Sequence, residues 1–320
     1  MSQSTRPLVK KKWKAEDMED QSSKIFIITG ANSGLGFEGT RQLVAKNAKV
    51  IMAVRDLVRG QEALDEIKQE EPKADLELME LNLSSLESVK KFTKQFRADH
   101  TQLHGLLNNA GVMQPPRMET EEGFELQIGV NHLAHFALTG LLLDELRSTP
   151  GSRIISQSSI VAARGRINFE DFHSVKEYSR TGAYGQSKLA NLLFAFELDR
   201  KLNLHGIETV SSIAVHPGYT ATNLQQNGPT LNGKTFYSRL YKFSNFFIAQ
   251  NVSKGTLPMT YAATAPDVEG GDYIGPRGLA QIRGYPKRVK APKHAYNEEE
   301  AQKLWKLSEQ LTGVKYNFEA

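Results

Sequence analysis

Short runs of β-branched and other apolar residues alternate with longer amphipathic stretches over most of the chain. Such runs predict strands at Lys24–Thr29, Lys49–Val54, Asp75–Leu81, Leu103–Asn108, Arg153–Gln157 and Ile207–Val215. Stretches with helical periodicity lie between them, for example Leu57–Glu71 and Leu86–Ala98. Continuous apolar strands separated by helices indicate a parallel sheet covered on both faces. Because crossovers between parallel strands are right-handed, the pattern predicts a single α/β domain with a doubly wound parallel sheet.

The two ends of the chain depart from this alternation. Residues 1–22 are polar and aperiodic, and we interpret them as an arm lying on the surface. The domain is predicted over 23–290, and a helical extension over 291–320 carries a last helix near 297–312. Neither the arm nor the last helix is expected to be needed by the core fold.

The composition excludes several kinds of site. The chain has no cysteine, which excludes disulfides, thiolate nucleophiles and cysteine-ligated zinc, and a reducing, cytoplasmic location is expected. No apolar run reaches the roughly 18 residues of a membrane-spanning helix, so no integral membrane segment is expected. The net charge is +4, and the basic run Arg283–Lys293 fits either a solvated surface or an anionic partner. We favour the solvated surface and expect no nucleic-acid partner.

A glycine-rich segment, Thr29–Gly36, follows the first predicted strand and opens the first helix. Glycines let the backbone approach a pyrophosphate, and a helix N-terminus offers unpaired N–H groups. The glycines at positions 30, 34 and 36 are spaced Gly-x3-Gly-x-Gly, unlike the Gly-x-Gly-x2-Gly of the ordinary dinucleotide fingerprint. The segment therefore predicts a nucleotide-phosphate site with its own spacing.

Further motifs follow in order along the chain. They are Asn-Asn-Ala-Gly at Asn108–Gly111, a helical asparagine at Asn131, Tyr-x3-Lys at Tyr184–Lys188 and Pro-Gly-x3-Thr at Pro217–Thr222. With the glycine segment, these motifs resemble those of the short-chain dehydrogenase/reductase family, most closely its retinol-dehydrogenase-like branch, which includes bacterial members. The resemblance covers about residues 23–290 and implies a Rossmann-type fold that binds a nicotinamide dinucleotide.

The resemblance also implies which residues bind the cofactor. They are Gly30, Ser33, Gly34, Leu35, Gly36, Arg55, Asn82, Leu83, Asn109, Ala110, Gly111, Tyr184, Lys188, Pro217, Gly218, Thr220 and Thr222. Asn82-Leu83 stands where the family usually has Asp-Leu near the adenine. Because asparagine keeps an acceptor oxygen, adenine binding is expected to survive this departure.

The end of the second predicted strand bears on the choice of cofactor. NAD enzymes commonly place Asp or Glu there to bind the ribose hydroxyls, whereas here Arg55 follows the strand and Asp56 comes next. An arginine can pair bidentately with a 2′-phosphate. We therefore predict NADP(H), with NAD(H) as the alternative that Asp56 leaves open.

Tyr184 and Lys188 are four residues apart, which places them on one face of a helix. The ordinary tyrosine pKa of about 10 is too high for a base at neutral pH, and a nearby ammonium is expected to lower it. The resemblance implies that Tyr184 is the acid/base and that Lys188 binds ribose and tunes Tyr184. It likewise implies that Ser159, rather than the adjacent Ser158, holds the substrate oxygen, and that Asn131 holds a water that relays protons.

Other residues near these motifs receive lesser roles. Arg164–Arg180 is longer than the corresponding segment of the family core, and we interpret it as an insertion beside the active site. His216 precedes the Pro-Gly motif and is interpreted as a positioning residue near the cofactor. His132 and His135 share a predicted helix without a third ligand at suitable spacing, so no metal site is expected.

The motifs together predict an oxidoreductase that transfers a hydride between NADP(H) and an apolar carbonyl or alcohol substrate. A non-catalytic NADP(H)-binding sensor on the same fold is the alternative, although such proteins typically lose the tyrosine or the lysine. A basic nucleic-acid-binding protein is a third possibility, but no basic motif interleaved with aromatic residues is present. Neither the fold nor the motifs specify the substrate.

A polar and aromatic insertion at 224–255 breaks the alternation of strands and helices. It begins with the turn-rich stretch Gln225–Pro229 and then carries Phe236, Tyr237, Tyr241, Phe243, Phe246 and Phe247. We interpret it as a mobile lid that covers an apolar substrate and excludes water. Permanent packing on the core and a contact within a homodimer remain open alternatives.

Overall fold

The computed structural model describes residues 11–220 and 250–319. Within these residues, one eight-stranded sheet has the order β3-β2-β1-β4-β5-β6-β7-β8. The strands are β1 (Ile25–Thr29), β2 (Lys49–Val54), β3 (Asp75–Glu80), β4 (Gly105–Asn108), β5 (Ser152–Gln157), β6 (Val210–Val215), β7 (Tyr273–Pro276) and β8 (Pro286–Arg288). All neighbouring strands pair in parallel except β8, which runs antiparallel to β7 at the edge. The predicted doubly wound, Rossmann-type sheet is confirmed.

Helices cover both faces of the sheet. They are α1 (Gly34–Val44), α2 (Leu57–Glu70), α3 (Leu86–Asp99), α4 (Leu126–Ile128), α5 (Ala134–Leu141), α6 (Leu143–Arg147), α7 (Arg180–Leu204), α8 (Val252–Thr264) and α9 (Glu298–Thr312). A π-helical turn, Gly129–Leu133, joins α4 to α5. Apolar residues of α3, α5 and α7 fill the core on one face, and those of α1, α2 and α8 fill it on the other.

Strand β1 shows how the sheet comes to be buried on both faces. Phe26, Ile27 and Ile28 are consecutive and are all buried. Because side chains alternate across a strand, Ile27 joins one core cluster, whereas Phe26 and Ile28 join the other. The strand order reverses between β1 and β4, and open α/β sheets bind ligands outside the carboxyl ends of the strands at such a point.

Two strands and several strand boundaries differ from the predictions. The sequence pattern did not predict β7 and β8, which are short and contain Gly275, Pro276 and Pro286. Strand β6 begins at Val210 rather than Ile207 because a turn with Gly206 at φ +67° still separates it from α7. Short strands with turn-forming residues lack the apolar periodicity on which the prediction depends.

The described part of the N-terminal arm docks into the core, which corrects the expectation that it lies on the surface. Trp13 and Met18 are each only 3% exposed. The Trp13 ring packs edge-on against Tyr261 of α8, with 5.1 Å between ring centroids. Two apolar residues in a polar stretch create no periodicity, so the sequence pattern did not reveal the contact. Residues 1–10 lie outside the described residues.

The C-terminal extension also belongs to the core, contrary to the expectation that the last helix is not needed there. Trp305 of α9 and Tyr316 both pack against Phe136 of α5, with ring centroids 5.1 and 4.9 Å from it. The Tyr316 hydroxyl donates to the Phe136 carbonyl at 2.7 Å. The extension thereby completes the core on the face formed by α3, α5 and α7.

Asp199 on α7 gives the fold a testable pH dependence. Burial, reinforced by the charge of Asp272, raises the pKa of Asp199 to about 6, although hydrogen bonds from Ser212 and Asn203 oppose the rise. An acid whose pKa is raised by folding stabilises the fold below its unfolded pKa of about 4. That contribution is lost as the pH rises through about 6.

We therefore expect Asp199→Asn to change the free energy of unfolding in a pH-dependent way. Relative to the wild type, the variant should be about 1–2 kcal/mol more stable at about pH 7 than it is at about pH 4. The variant lacks the ionisation that the folded wild type disfavours. Urea unfolding at both pH values measures the difference. Asp99→Asn, which alters an exposed carboxylate, is the control and should not change the pH dependence. Identical pH profiles for wild type and Asp199→Asn would contradict the assignment.

Candidate active site

The glycine-rich segment after β1 has the geometry of a phosphate site. Gly30 and Gly34 have φ values of +68° and +55°, which other residues rarely adopt. A Cβ at Gly36 would overlap the Gly30 carbonyl oxygen, so only glycine fits there. The first hydrogen bond of α1 runs from Phe37 N–H to Ser33 O, and the preceding N–H groups are therefore available at the helix N-terminus. The segment fits a dinucleotide pyrophosphate.

Thr29, at the end of β1, holds this segment against the Asn-Asn-Ala-Gly motif that follows β4. Its hydroxyl oxygen accepts the N–H groups of Asn109 and Ala110 at 3.0 and 2.9 Å and lies 2.9 Å from His135 Nε2. Asn109 Nδ2 donates to the Thr29 carbonyl at 2.8 Å. No role was predicted for Thr29 or His135 from the sequence, because only the packing of β1 against β4 and α5 brings these segments together.

Arg55 stands at the carboxyl end of β2, and its side chain is exposed. In residues 11–220 and 250–319 it forms no hydrogen bond or ion pair that would hold it away from a ligand. The neighbouring Asp56 has a separate role, because its carboxylate caps α2 and accepts the Arg59 N–H at 3.1 Å. Asp56 thus contributes one carboxylate oxygen, Oδ1, to the N-terminus of α2.

Asn82 lies in a local turn that follows β3. Its Oδ1 accepts the Ser84 N–H at 3.1 Å, and its own N–H donates to Ser88 Oγ at 2.9 Å. One lone pair of Asn82 Oδ1 is therefore used in a local turn, and contact with the adenine stays a prediction. The adjacent Leu83 is 8% exposed and packs into the core.

Tyr184 and Lys188 lie on α7 and are both buried. The Lys188 ammonium donates to the Gln157 carbonyl at 3.1 Å and lies 5.8 Å from the centroid of the Tyr184 ring. Ser159 follows β5, and its side chain lies near that of Tyr184, where it favours the phenolate. The adjacent Ser158 instead donates to the Lys188 carbonyl at 2.8 Å. The structure thus brings Ser159, Tyr184 and Lys188 together and assigns Ser158 to holding α7.

The pKa of Tyr184 shifts in the direction opposite to the expectation from its spacing to Lys188. Burial raises the pKa of Tyr184 to about 12, and the nearby Ser159 side chain opposes the rise. Burial lowers the pKa of Lys188 to about 8. Both shifts have one cause, since a poorly hydrated site disfavours the phenolate and the ammonium alike. In the protein alone, the Tyr184 phenol is therefore protonated at neutral pH.

Asn131 lies in the π-helical turn before α5 and connects three segments. Its Oδ1 accepts the Val112 N–H at 2.8 Å, and its Nδ2 donates to the Val112 carbonyl at 3.0 Å and to Ser187 Oγ at 2.9 Å. A Cβ at Gly111 would lie 3.0 Å from Asn131 Oδ1 and 3.5 Å from Lys188 Nζ. Asn131 therefore aligns the loop after β4 with α7, a positioning role beyond the predicted one.

The Pro-Gly motif follows β6 at the same edge of the sheet. The Pro217 carbonyl accepts hydrogen bonds from Thr220 Oγ1 at 2.9 Å and from Gln250 Nε2 at 2.6 Å, and Gly218 has φ +68°. His216 is fully buried beneath the motif. Thr222, predicted to bind the cofactor, lies outside the described residues.

The predicted lid at 224–255 is described only over its last residues. Its portion at 224–249 lies outside the described residues. Gln250 is buried and forms a bridge with Thr220, and α8 begins at Val252 and packs on α1. The C-terminal boundary of the prediction is therefore corrected, because residues 250–255 belong to the fixed fold.

Arg164–Arg180, predicted as an insertion, forms a well-bonded wall beside α7. Gln127, fully buried, accepts the Gln114 N–H at 2.8 Å and donates to the Tyr178 hydroxyl and the Arg180 carbonyl, each at 3.1 Å. The Tyr178 hydroxyl in turn donates to the carbonyl of Pro115 at 2.9 Å. Gln127 thus joins the insertion to the loop after β4.

No group of three or more His, Cys, Asp or Glu side chains in the described ranges is placed to hold a metal ion. Burial lowers the pKa of His132 to about 3 and of His135 to about 4, so both rings are neutral at physiological pH. Within residues 11–220 and 250–319, no helix is both long enough and apolar enough to cross a membrane.

Comparison with known proteins finds a matching family model and similar sequences. The short chain dehydrogenase family model matches residues 24–230. Retinol dehydrogenase 12 of Mus musculus is 38% identical over 295 residues, which cover 92% of this chain and 87% of that protein. Polyprenol dehydrogenase of Danio rerio is 37% identical over 314 residues, which cover 96% of this chain and 92% of that protein.

Solved structures show the same architecture. A crystal structure of an uncharacterized protein from Mycobacterium paratuberculosis has a TM-score of 0.79 at 37% identity, covering 96% of this chain and 99% of that chain. The RhlG/NADP active-site complex of Pseudomonas aeruginosa has a TM-score of 0.61 at 19% identity, covering 79% of this chain and 94% of that chain. The second likeness is one of fold alone.

Proposed function

Since this chain belongs to the short-chain dehydrogenase family, in its retinol-dehydrogenase-like branch, and is an oxidoreductase of alcohol or carbonyl groups, we propose that it uses NADP(H) and an apolar substrate. The observation that carries the proposal is the convergence of Ser159, Tyr184 and Lys188 at the sheet edge that also bears the glycine-rich segment. An acid/base pair beside a phosphate site is the arrangement that hydride transfer requires.

Each residue of this group has a separate task. The nicotinamide, when bound, supplies or accepts the hydride. In the reductive direction Tyr184 donates its proton to the substrate oxygen, and the Ser159 hydroxyl donates a hydrogen bond to the same oxygen as negative charge develops there. The Lys188 ammonium makes one hydrogen bond within the described residues, to the Gln157 carbonyl. Its remaining donors are suited to ribose hydroxyls, and its charge favours the Tyr184 phenolate that forms after the proton leaves.

We propose an apolar primary alcohol or aldehyde as the substrate. The relatives named above are called retinol and polyprenol dehydrogenases, and those names denote long apolar alcohols. The wall formed by Arg164–Arg180 and the loop after β4 is held by partly buried hydrogen bonds through Gln127, which supports a fixed boundary beside the site.

A carbonyl panel tests the proposed function. NADPH oxidation is followed at fixed enzyme with aldehydes and ketones of increasing chain length, and the oxidation of the matching alcohols is followed with NADP+. We expect kcat/KM to rise with apolar chain length, because each buried methylene adds favourable transfer free energy. Activity only on short polar carbonyls would overturn the substrate assignment, and binding of NADPH without turnover of any compound would overturn the reaction.

Arg55→Ala tests the preference for NADP(H). Loss of a charge-assisted pair with the 2′-phosphate should weaken NADPH binding about ten- to a hundredfold while leaving NADH binding almost unchanged. Dissociation constants for both dinucleotides, measured by fluorescence titration, give the answer. Arg59→Ala is the matched control, because Arg59 is also exposed but lies on α2. Equal weakening of NADPH and NADH would refute the 2′-phosphate role.

A further inference from the structure

We infer that Gln281 is a positioning residue for the dinucleotide and acts through His216 on the turn that begins at Pro217. Gln281 lies 65 residues beyond His216 in the chain, in the loop 277–285 that joins β7 to β8. The inference rests on the proposed function, because the contact of this turn with the dinucleotide is itself proposed.

Only one proton arrangement of the neutral His216 ring satisfies both of its neighbours. The Gly218 N–H donates to Nδ1 at 3.2 Å, so Nδ1 is the unprotonated nitrogen. The other nitrogen of a neutral imidazole then carries the proton, and Nε2 donates to Gln281 Oε1 at 2.9 Å. The Gln281 acceptor therefore selects the tautomer that can hold the Gly218 N–H.

The turn is supported by the same loop from a second side. The Tyr219 N–H donates to the Ile282 carbonyl at 2.8 Å, and a Cβ at Gly218 would overlap that carbonyl oxygen. Consecutive residues of the loop, Gln281 and Ile282, thus hold consecutive parts of the turn, one through His216 and one directly. The position of the turn at the active-site edge is set by the loop.

The backbone of the loop is strained where Gln281 lies. Ala280 and Gln281 have φ values of +50° and +58°, so two consecutive non-glycine residues adopt the left-handed region. Strain of this kind persists where surrounding contacts determine the conformation, and it is concentrated at functional sites. Within the described residues, the side chain of Gln281 has His216 as its hydrogen-bond partner. The strained backbone conformation therefore places the Gln281 side chain where it can form a hydrogen bond with His216.

The surroundings keep His216 neutral. Its ring faces Tyr273 of β7 at 5.0 Å between centroids, and a Cβ at Gly275 would overlap the ring. Burial lowers the pKa of His216 to about 4, opposed by the hydrogen bond with Gln281, and burial raises the pKa of Tyr273 above its ordinary value. Neither ring changes charge near neutral pH, so the selected tautomer is constant there.

The first test is Gln281→Leu, which removes the acceptor and keeps a side chain of similar size. We expect the NADPH dissociation constant to rise about tenfold, the typical effect of one lost hydrogen bond in a buried site. Nitrogen NMR of the ring should show His216 leaving the pure Nε2–H form. Leu279→Ala is the matched control, since Leu279 is 93% exposed in the same loop; it should preserve both NADPH affinity and the tautomer.

The second test is the conservative variant Gln281→Glu, which keeps an acceptor opposite Nε2. A carboxylate there raises the pKa of His216, and a proton added at Nδ1 removes the acceptor of the Gly218 N–H. We expect NADPH affinity close to that of the wild type at alkaline pH. Affinity should fall as the pH is lowered, in step with the His216 protonation followed by NMR. A merely structural loop residue would not create this coupling.

The outcomes separate the inference from the proposed function. An unchanged NADPH dissociation constant in Gln281→Leu, with an altered tautomer, would overturn the positioning role. An unaltered tautomer would overturn the connection through His216. If the wild type failed to bind NADPH, the proposed function would be wrong. The tautomer measurement would still test whether Gln281 acts on the His216 ring.

Discussion

Tyr184→Phe is expected to reduce kcat by about two to four orders of magnitude while NADPH binds as it does to the wild type. The substitution removes only the hydroxyl that exchanges the proton, and the ring remains buried on α7. Single-turnover kinetics together with an NADPH titration separate chemistry from binding. A variant that kept more than about a tenth of the wild-type kcat would show that another group transfers the proton.

Tyr178→Phe is the matched control for this experiment. Tyr178 lies on the wall beside α7, and its hydroxyl makes structural hydrogen bonds with Pro115 and Gln127. Loss of that hydroxyl should lower stability by about 1 kcal/mol and should leave most of the turnover intact. A comparable loss of turnover in both variants would mean that disturbance of the cleft, rather than loss of the acid, explains the effect.

Lys188→Met is expected to have the second largest effect, because Lys188 is given two tasks. Loss of the ammonium should weaken NADPH binding, through lost ribose contacts, and should lower kcat at least about a hundredfold, through loss of the charge beside Tyr184. Both parameters come from steady-state kinetics and binding titrations. Wild-type affinity for NADPH in this variant would contradict the ribose role, and an unchanged kcat would contradict the tuning role.

Asn191→Ala is the matched control for Lys188→Met. The Asn191 amide also donates to the Gln157 carbonyl, at 2.9 Å, so the control removes a neighbouring hydrogen bond without removing the charge; it should retain most of the rate.

The wild type should in addition lose kcat/KM as the pH rises through about 8, because burial lowers the pKa of Lys188 to that value. The active form of Lys188 is the protonated one, which prevails below this pKa.

Local patterns were sufficient for much of the fold and for part of the site. Strand β2 was predicted with its observed bounds because a short, continuous apolar run bounded by polar residues is visible in the sequence itself. The glycines of the phosphate segment and the spacing of Tyr184 and Lys188 express constraints that operate within one turn or one helix. Such features lie within a few residues of each other, so the sequence by itself determined them.

The remaining assignments depended on contacts between residues far apart in the chain. The family resemblance selected Ser159 over Ser158, but their different contacts follow from the packing of α7 against β5, which directs the Ser158 hydroxyl to the Lys188 carbonyl and places Ser159 near Tyr184. The pKa of Tyr184 likewise follows from how deeply the fold buries it, which outweighs its spacing to Lys188. Trp13 reaches Tyr261, and Gln281 reaches His216, across the folded chain. Burial and long-range hydrogen bonds arise only when distant segments meet, so the tertiary structure alone decided these features.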